Sequence, residues 1–289
     1  MSAPIRRLRQ PGPRRPERWL GVPGRARHLA FTLAPGLPLV EAIARPLADA
    51  GIAGGTVELS GGALSPFTYV MPALSEDPRF AATYSRTYAP PGTTRLARAS
   101  ASFGRRDGAP FVHCHGLWVE PGGARRGGHV MPHDTVVAEA IAARAVGVAE
   151  AAFDVLPDAE TNFSVLTPVA CGAVPPDGHP SALLLKLQPN ESIENAIAAA
   201  ARAHGIAAAR IHGVGSLVGV DFADGRRVPS IATEVFVTAG ELRLGPGGDT
   251  VALDLALVDV DGTVHEGRAA PGNAVCITFE LTLAELRTG

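Results

Sequence analysis

Apolar residues recur along this chain in two rhythms, and the same succession of rhythms occurs twice. From Leu33, the stretch LAPGLPLVEAIARPLADAGIAGGTVELSGGAL gives a short apolar run, a segment with helical spacing that stops at Gly51, and an extended segment. From Leu187, the stretch LQPNESIENAIAAAARAHGIAAARIHGVGSLV repeats the pattern and stops its helix at Gly205. A constant offset of 154 pairs Pro35 with Pro189, Ile43 with Ile197, Gly51 with Gly205 and Gly61 with Gly215. The pattern predicts strand, helix, strand in each stretch, with Gly51 and Gly205 just past the helix ends.

A second block aligns at an offset of 139, pairing HCHGLWVEPGGARRGGH at residues 113–129 with ALDLALVDVDGTVHEGR at 252–268. The two offsets differ by about fifteen residues, an insertion expected in the first unit near Tyr69–Tyr88, where surface loops are best tolerated and can cover a site. Residues 135–148 look helical from alanine content, but their counterpart AVCITFELTL alternates and is rich in β-branched residues. They are therefore predicted to form a strand. The fold class is α+β: two tandem domains, each a mostly antiparallel sheet flanked by helices. Residues 29–174 form the first domain and 180–289 the second. Residues 1–28 carry eight arginines, one acid and five prolines, and are expected to form an extended arm without a central strand.

Composition narrows the function classes. Of 289 residues, 46% are hydrophobic and 19% charged, as in a folded protein, and a net charge of −2 gives no global attraction to nucleic acid or an anionic membrane. Neither a membrane-spanning run nor a secretory leader is read, and three scattered cysteines fit a reducing cytoplasm. Lys186 is the only lysine.

The GIAAARI segment, the GVGSL block at Gly213–Leu217 and HCHGLWVEPGGARRGGH together resemble the plant and prokaryote conserved domain, in plants the partner of an AT-hook in nuclear DNA-binding proteins. The resemblance implies sheets packed around a three-fold axis, hence a homotrimer, and in some prokaryotic members a histidine metal site. The first unit carries that chemistry. Alternation puts His113 and His115 on one face of a strand with Cys114 on the other. A turn centred on Gly122, in a Pro-Gly-Gly sequence, sets His129 opposite His115. Three neutral imidazoles with an open fourth position suit a divalent metal, zinc first, whose bound water becomes a nucleophile. His133 is a candidate supporting group behind these ligands. Cys114 reads as a small buried residue.

The second unit has Ala252, Asp254 and Arg268 at the three histidine positions, so it loses the metal and gains a facing Asp254–Arg268 pair. Arg86, Arg95 and Arg98 are candidates for binding an anionic substrate. The Asp158–Pro168 tract closes the first domain and borders the site at most secondarily, and Gly213 and Gly215 read as close-packing positions, since no phosphate-loop lysine follows them. Three functions follow: a metal-dependent hydrolase or lyase acting on a small anionic molecule, a non-catalytic metal or ligand sensor, or a DNA-binding regulator using the basic arm. No general base is evident, and Gly12-Pro13-Arg14-Arg15-Pro16 is not an AT-hook.

Overall fold

The computed structural model describes residues 6–172 and 179–286. The junction expected at residues 174–180 falls largely outside these, as do the first five residues of the arm. Two sheets carry the architecture. The first runs Arg27–Leu33, Ile141–Val148, Gly54–Ser60, Thr94–Arg106, Ala109–Val119, Arg125–Val130 and Tyr69–Val70 across its main path. The second runs Trp19–Gly24, Ala182–Leu187, Val275–Glu285, Ala208–Leu217, Glu234–Arg243, Thr250–Val258 and Val264–Arg268. Starting with Arg27–Leu33 in the first sheet and Ala182–Leu187 in the second, six successive positions are filled by strands from corresponding places in sequence in the same order, ending at Arg125–Val130 and Val264–Arg268. Pairing in both is antiparallel, apart from a single parallel contact of Asp154 with Arg105.

Each sheet has one helix against one face. Helix α1 (Leu39–Asp49) and helix α2 (Ile193–Ala203) are both 11 residues long and begin 154 residues apart. Their apolar stripes, Leu39, Ile43 and Leu47 in α1 and Ile193, Ile197 and Ala201 in α2, are buried on the sheets. Ser192 caps α2 by accepting from the Asn195 N–H, and Gly51 and Gly205 take positive φ just beyond the two helices. The flanking layer is thus thinner than expected: among the described residues each sheet has one helix. Its other face is covered by the opposite sheet. Leu117, Val214, Phe236 and Ala256 form an apolar patch between the sheets, and the Thr56 and Thr282 hydroxyls hydrogen-bond across it at 2.9 Å.

The expected strand after residue 135 is present as Val137–Glu139 and Ile141–Val148. Part of the arm is built into the second sheet. Trp19–Gly24 is a strand, paired antiparallel with Ala182–Leu187 at the edge of the second sheet. An edge tolerates Pro23, whose missing N–H would break a central ladder. Arg6 pairs with Asp221, Arg14 with Glu191, and Arg18 with both Glu160 and Glu191, so these arginines bind the chain to itself. No helix among the described residues is long and apolar enough to cross a membrane.

The Asp158–Pro168 tract spans the turn of a hairpin between Ala151–Pro157 and Ser164–Ala170, in which Asp158 accepts the Glu160 and Thr161 N–H groups. It lies against the cavity described next, more directly than its sequence suggested.

Candidate metal centre

In the Ala109–Val119 strand, Val112, Cys114 and Trp118 face α1 and are buried, while His113, His115 and Leu117 face the opposite sheet. Burial pushes the Cys114 thiol up to about 12, which leaves it a protonated packing group. The strand then turns at Pro121–Gly123 and returns as Arg125–Val130 in the register that sets His129 across from His115. Two glycines make this return possible. A β-carbon on Gly127 would come within 2.7 Å of Leu117 Cδ2, and one on Gly128 within 2.6 Å of the Val70 carbonyl oxygen, so side chains there would push the His129 strand off its neighbours.

The ring of His113 lies 4.9 Å from that of His129, and the ring of His115 lies 5.3 Å from it. The hydrogen bonds define the tautomers. His115 Nδ1–H donates to the Val235 carbonyl at 2.9 Å, and His113 Nδ1–H donates to Glu280 Oε2 at 2.8 Å. Each ring therefore turns a bare Nε2 inward, and the two Nε2 atoms are 2.9 Å apart. Glu234 Oε2 sits 2.5 Å from His115 Nε2. Ligand atoms from His113, His115, His129 and Glu234 all lie within 4.8 Å of one another. Facing lone pairs and a carboxylate repel unless a proton or a cation lies between them, and this donor set fits a divalent ion of borderline softness.

The electrostatics agree. Burial disfavours a charge on His113, yet Glu280 and Glu234 outweigh it and hold the imidazole above its ordinary value. Burial and then the neighbouring imidazoles push His129 well below its ordinary value, so it is neutral and able to ligate. Tyr84 arrives from the inserted segment, where Thr83–Tyr84 pairs with Pro72–Ala73. The residue is 42% exposed, and its hydroxyl lies 3.5 Å from His129 Nδ1. Burial there, with Glu234 and Glu280 nearby, keeps the hydroxyl protonated. The cluster lies at one end of a cavity of about 490 Å3 between the two sheets, bordered by the inserted segment and by the Ala151–Ala170 hairpin.

The other candidates lie elsewhere. His133 borders the cavity mouth beside Phe111, 6.5 Å between ring centres, and does not back any of the three histidines. Arg95 pairs with Glu139 and Arg98 with Glu266, and Arg86 stacks on Tyr88; none lines the cavity. Their positions in or beside the insertion suggested a lid facing the site, but these side chains find acidic or aromatic partners on the outer surface. The arginine that does border the cavity is Arg106. At the corresponding place in the second sheet, Asp254 and Arg268 face each other and form a two-pronged ion pair at 2.6 and 3.0 Å.

Glu234 and Glu280 come from the C-terminal half and were not singled out from sequence. The available signal was a charged residue inside otherwise apolar alternation, in ITFELTL and ATEVFV. An acid so placed is buried and needs a partner; Glu280 is 1% exposed.

Residues 177–287 match the Plants and Prokaryotes Conserved domain family. That stretch includes both glutamates and every strand of the second sheet except Trp19–Gly24. No curated protein matches the chain. Among solved structures, a plant- and prokaryote-conserved protein from Pyrococcus horikoshii is 17% identical, with a TM-score of 0.40, over 52% of this chain and 96% of its own. A metal-containing protein from Archaeoglobus fulgidus is 19% identical, with a TM-score of 0.39, over 48% and 92%. A protein from Ralstonia eutropha proposed to bind DNA is 19% identical, with a TM-score of 0.34, over 47% and 88%.

Proposed function

We propose that the chain is a duplicated plant- and prokaryote-conserved domain whose first unit holds a divalent metal, zinc first, at His113, His115 and His129, and uses it to bind or transform a small anionic molecule. The observation that supports this reading is the pair of inward Nε2 atoms, each fixed by a hydrogen bond on its own Nδ1. Oriented imidazoles backed by a carboxylate or carbonyl are the usual second layer of a protein metal site. Bound there, the ion would polarise a carbonyl or acidify a water, which is the chemistry of a metal-dependent hydrolase or lyase.

The missing general base has a candidate in Glu234. As a fourth ligand it would close a tetrahedral zinc and leave no place for water; as a neighbour of the ion it can accept a proton instead. Glu280 orients His113, and the Val235 carbonyl orients His115. The division of labour gives the second unit a purpose without histidines of its own: interior strands of its sheet complete the first unit's site. The same reading without turnover describes a sensor, and a substrate screen on the metal-loaded protein separates the two. For the DNA-binding alternative, the arginines Arg6, Arg14 and Arg18 that it needs are paired with acids of the same chain.

Elemental analysis of protein purified without an affinity tag tests the site. We expect about one divalent ion per chain, lost in His113→Ala/His115→Ala; equal, substoichiometric metal in both would overturn it. We further propose that the chain is a homotrimer in the cytoplasm. Light scattering of the purified protein is expected to give the mass of three chains, and the mass of one chain would refute the trimer.

A further inference from the structure

The cavity has an internal axis that indicates its ligand. Ser102 faces His113 across the sheet, and Arg106 lies four residues further along the same strand, on the same face and about 13 Å away. On the neighbouring strand Phe111 precedes His113 by two residues and shares its face. The Arg106 guanidinium stacks over the Phe111 ring at 4.2 Å, which holds the cation over the cavity mouth. Its neighbour Arg105 is bound in a two-pronged pair to Asp154, whereas no acidic side chain among the described residues pairs with Arg106. Asp134 also borders the mouth but makes no ion pair with Arg106.

The three histidines, Glu234, Glu280 and Thr278 line the opposite end. Val155 and Leu166 of the hairpin pack in one apolar cluster with Phe111 and present carbon along the cavity wall. A short anion such as acetate could not span from the cluster to Arg106.

We propose that the ligand is an elongated amphipathic anion: a metal-binding head at the histidines, an apolar body along Phe111, Val155 and Leu166, and a carboxylate at Arg106. Only the head group rests on the metal reading above; the body and the carboxylate rest on the cavity itself.

Calorimetric titration of the full chain, both stripped with a chelator and loaded with zinc, tests both parts with four probes: octanoate, its neutral counterpart octanamide, acetate, and suberic acid monohydroxamate. Octanoate is expected to bind more tightly than octanamide and acetate in both states. Arg106→Gln should weaken octanoate about tenfold, the loss of one charge-assisted contact at an exposed rim, and leave octanamide and the melting temperature unchanged. Zinc should tighten the monohydroxamate at least about a hundredfold over octanoate in the intact protein and not in His113→Ala/His115→Ala. Equal binding of octanoate with octanamide or with acetate, no binding at all, or equal weakening of both long probes by Arg106→Gln would overturn the ligand class. If the preference for octanoate stands and only the hydroxamate gain is missing, the metal assignment fails and the assignment of the apolar body and carboxylate site holds.

Discussion

Lys186→Met is expected to lower folding stability by about 3–5 kcal/mol, because it leaves a buried carboxylate without its counter-ion. The Lys186 ammonium is 2.6 Å from Asp158 Oδ2, and both side chains are almost completely buried. The pair joins the two halves of the structure: Asp158 turns the hairpin of the first, and Lys186 lies in a central strand of the second. The two partners are not equally well served. Burial pulls the Lys186 ammonium below its ordinary value in spite of Asp158. Burial also works against the Asp158 carboxylate, yet Lys186 and the Thr161 and Glu160 N–H groups outweigh it, so its value falls below the ordinary range. The difference is one of partners, since the carboxylate has several donors and the ammonium one close acceptor.

Two consequences can be measured by urea unfolding. Lys186→Met/Asp158→Asn should recover most of the loss, because the amide oxygen still accepts the backbone N–H groups and no charge is stranded. A double variant as unstable as the single would count against the ion pair as the cause. The pH dependence has a definite sign. A carboxylate depressed on folding contributes stability above its unfolded value, near 3.9, and loses it as the pH falls through the folded value. The parent should therefore lose stability with acid below about pH 4 more steeply than the double variant does.

The stability pair and the metal cluster belong to one buried row of charge. Lys186 is directly across from Glu280 in the second sheet, and Glu280 reaches His113 in the first. Only part of this row was legible in the sequence. Local rules gave the hairpin register, the shared face of His113 and His115, and the opposed Asp254 and Arg268, because each follows from a two-residue period and a turn centre. The strand at Ile141–Val148 was legible because its counterpart in the second unit is richer in β-branched residues than it is itself. What packs against that face was not legible. Glu234 lies more than a hundred residues from the histidines and meets them only because two sheets stack, which spacing along a chain does not encode. The same limit misplaced the arginines: position near an insertion suggested Arg86, Arg95 and Arg98, while the partner groups that decide where a guanidinium rests are Glu139, Glu266 and Tyr88. The prolines of the arm exclude a central strand but not an edge, and the edge is where Trp19–Gly24 lies.

Glu280→Ala is expected to weaken zinc binding about 10- to 100-fold while the three histidines remain in place. The carboxylate accepts from His113 Nδ1–H at 2.8 Å and so keeps Nε2 bare and aimed at its partners. Without it, the ring can turn or exchange tautomers, and its buried N–H loses its acceptor. Glu280→Gln distinguishes orientation from charge: an amide oxygen can still accept from His113, so most of the affinity should return if aiming the ring is what matters. If the glutamine variant is as weak as the alanine one, the negative charge next to the ion is the larger effect. Glu234→Gln is the contrasting case. A proton acceptor beside the ion can lose its charge with little change in zinc affinity, whereas a ligand cannot. Competition against a chromogenic chelator measures all three variants on one scale. Zinc affinity unchanged in Glu280→Ala would show that His113 is held by packing alone, and a large loss in Glu234→Gln would make that carboxylate the fourth ligand of a closed, structural site.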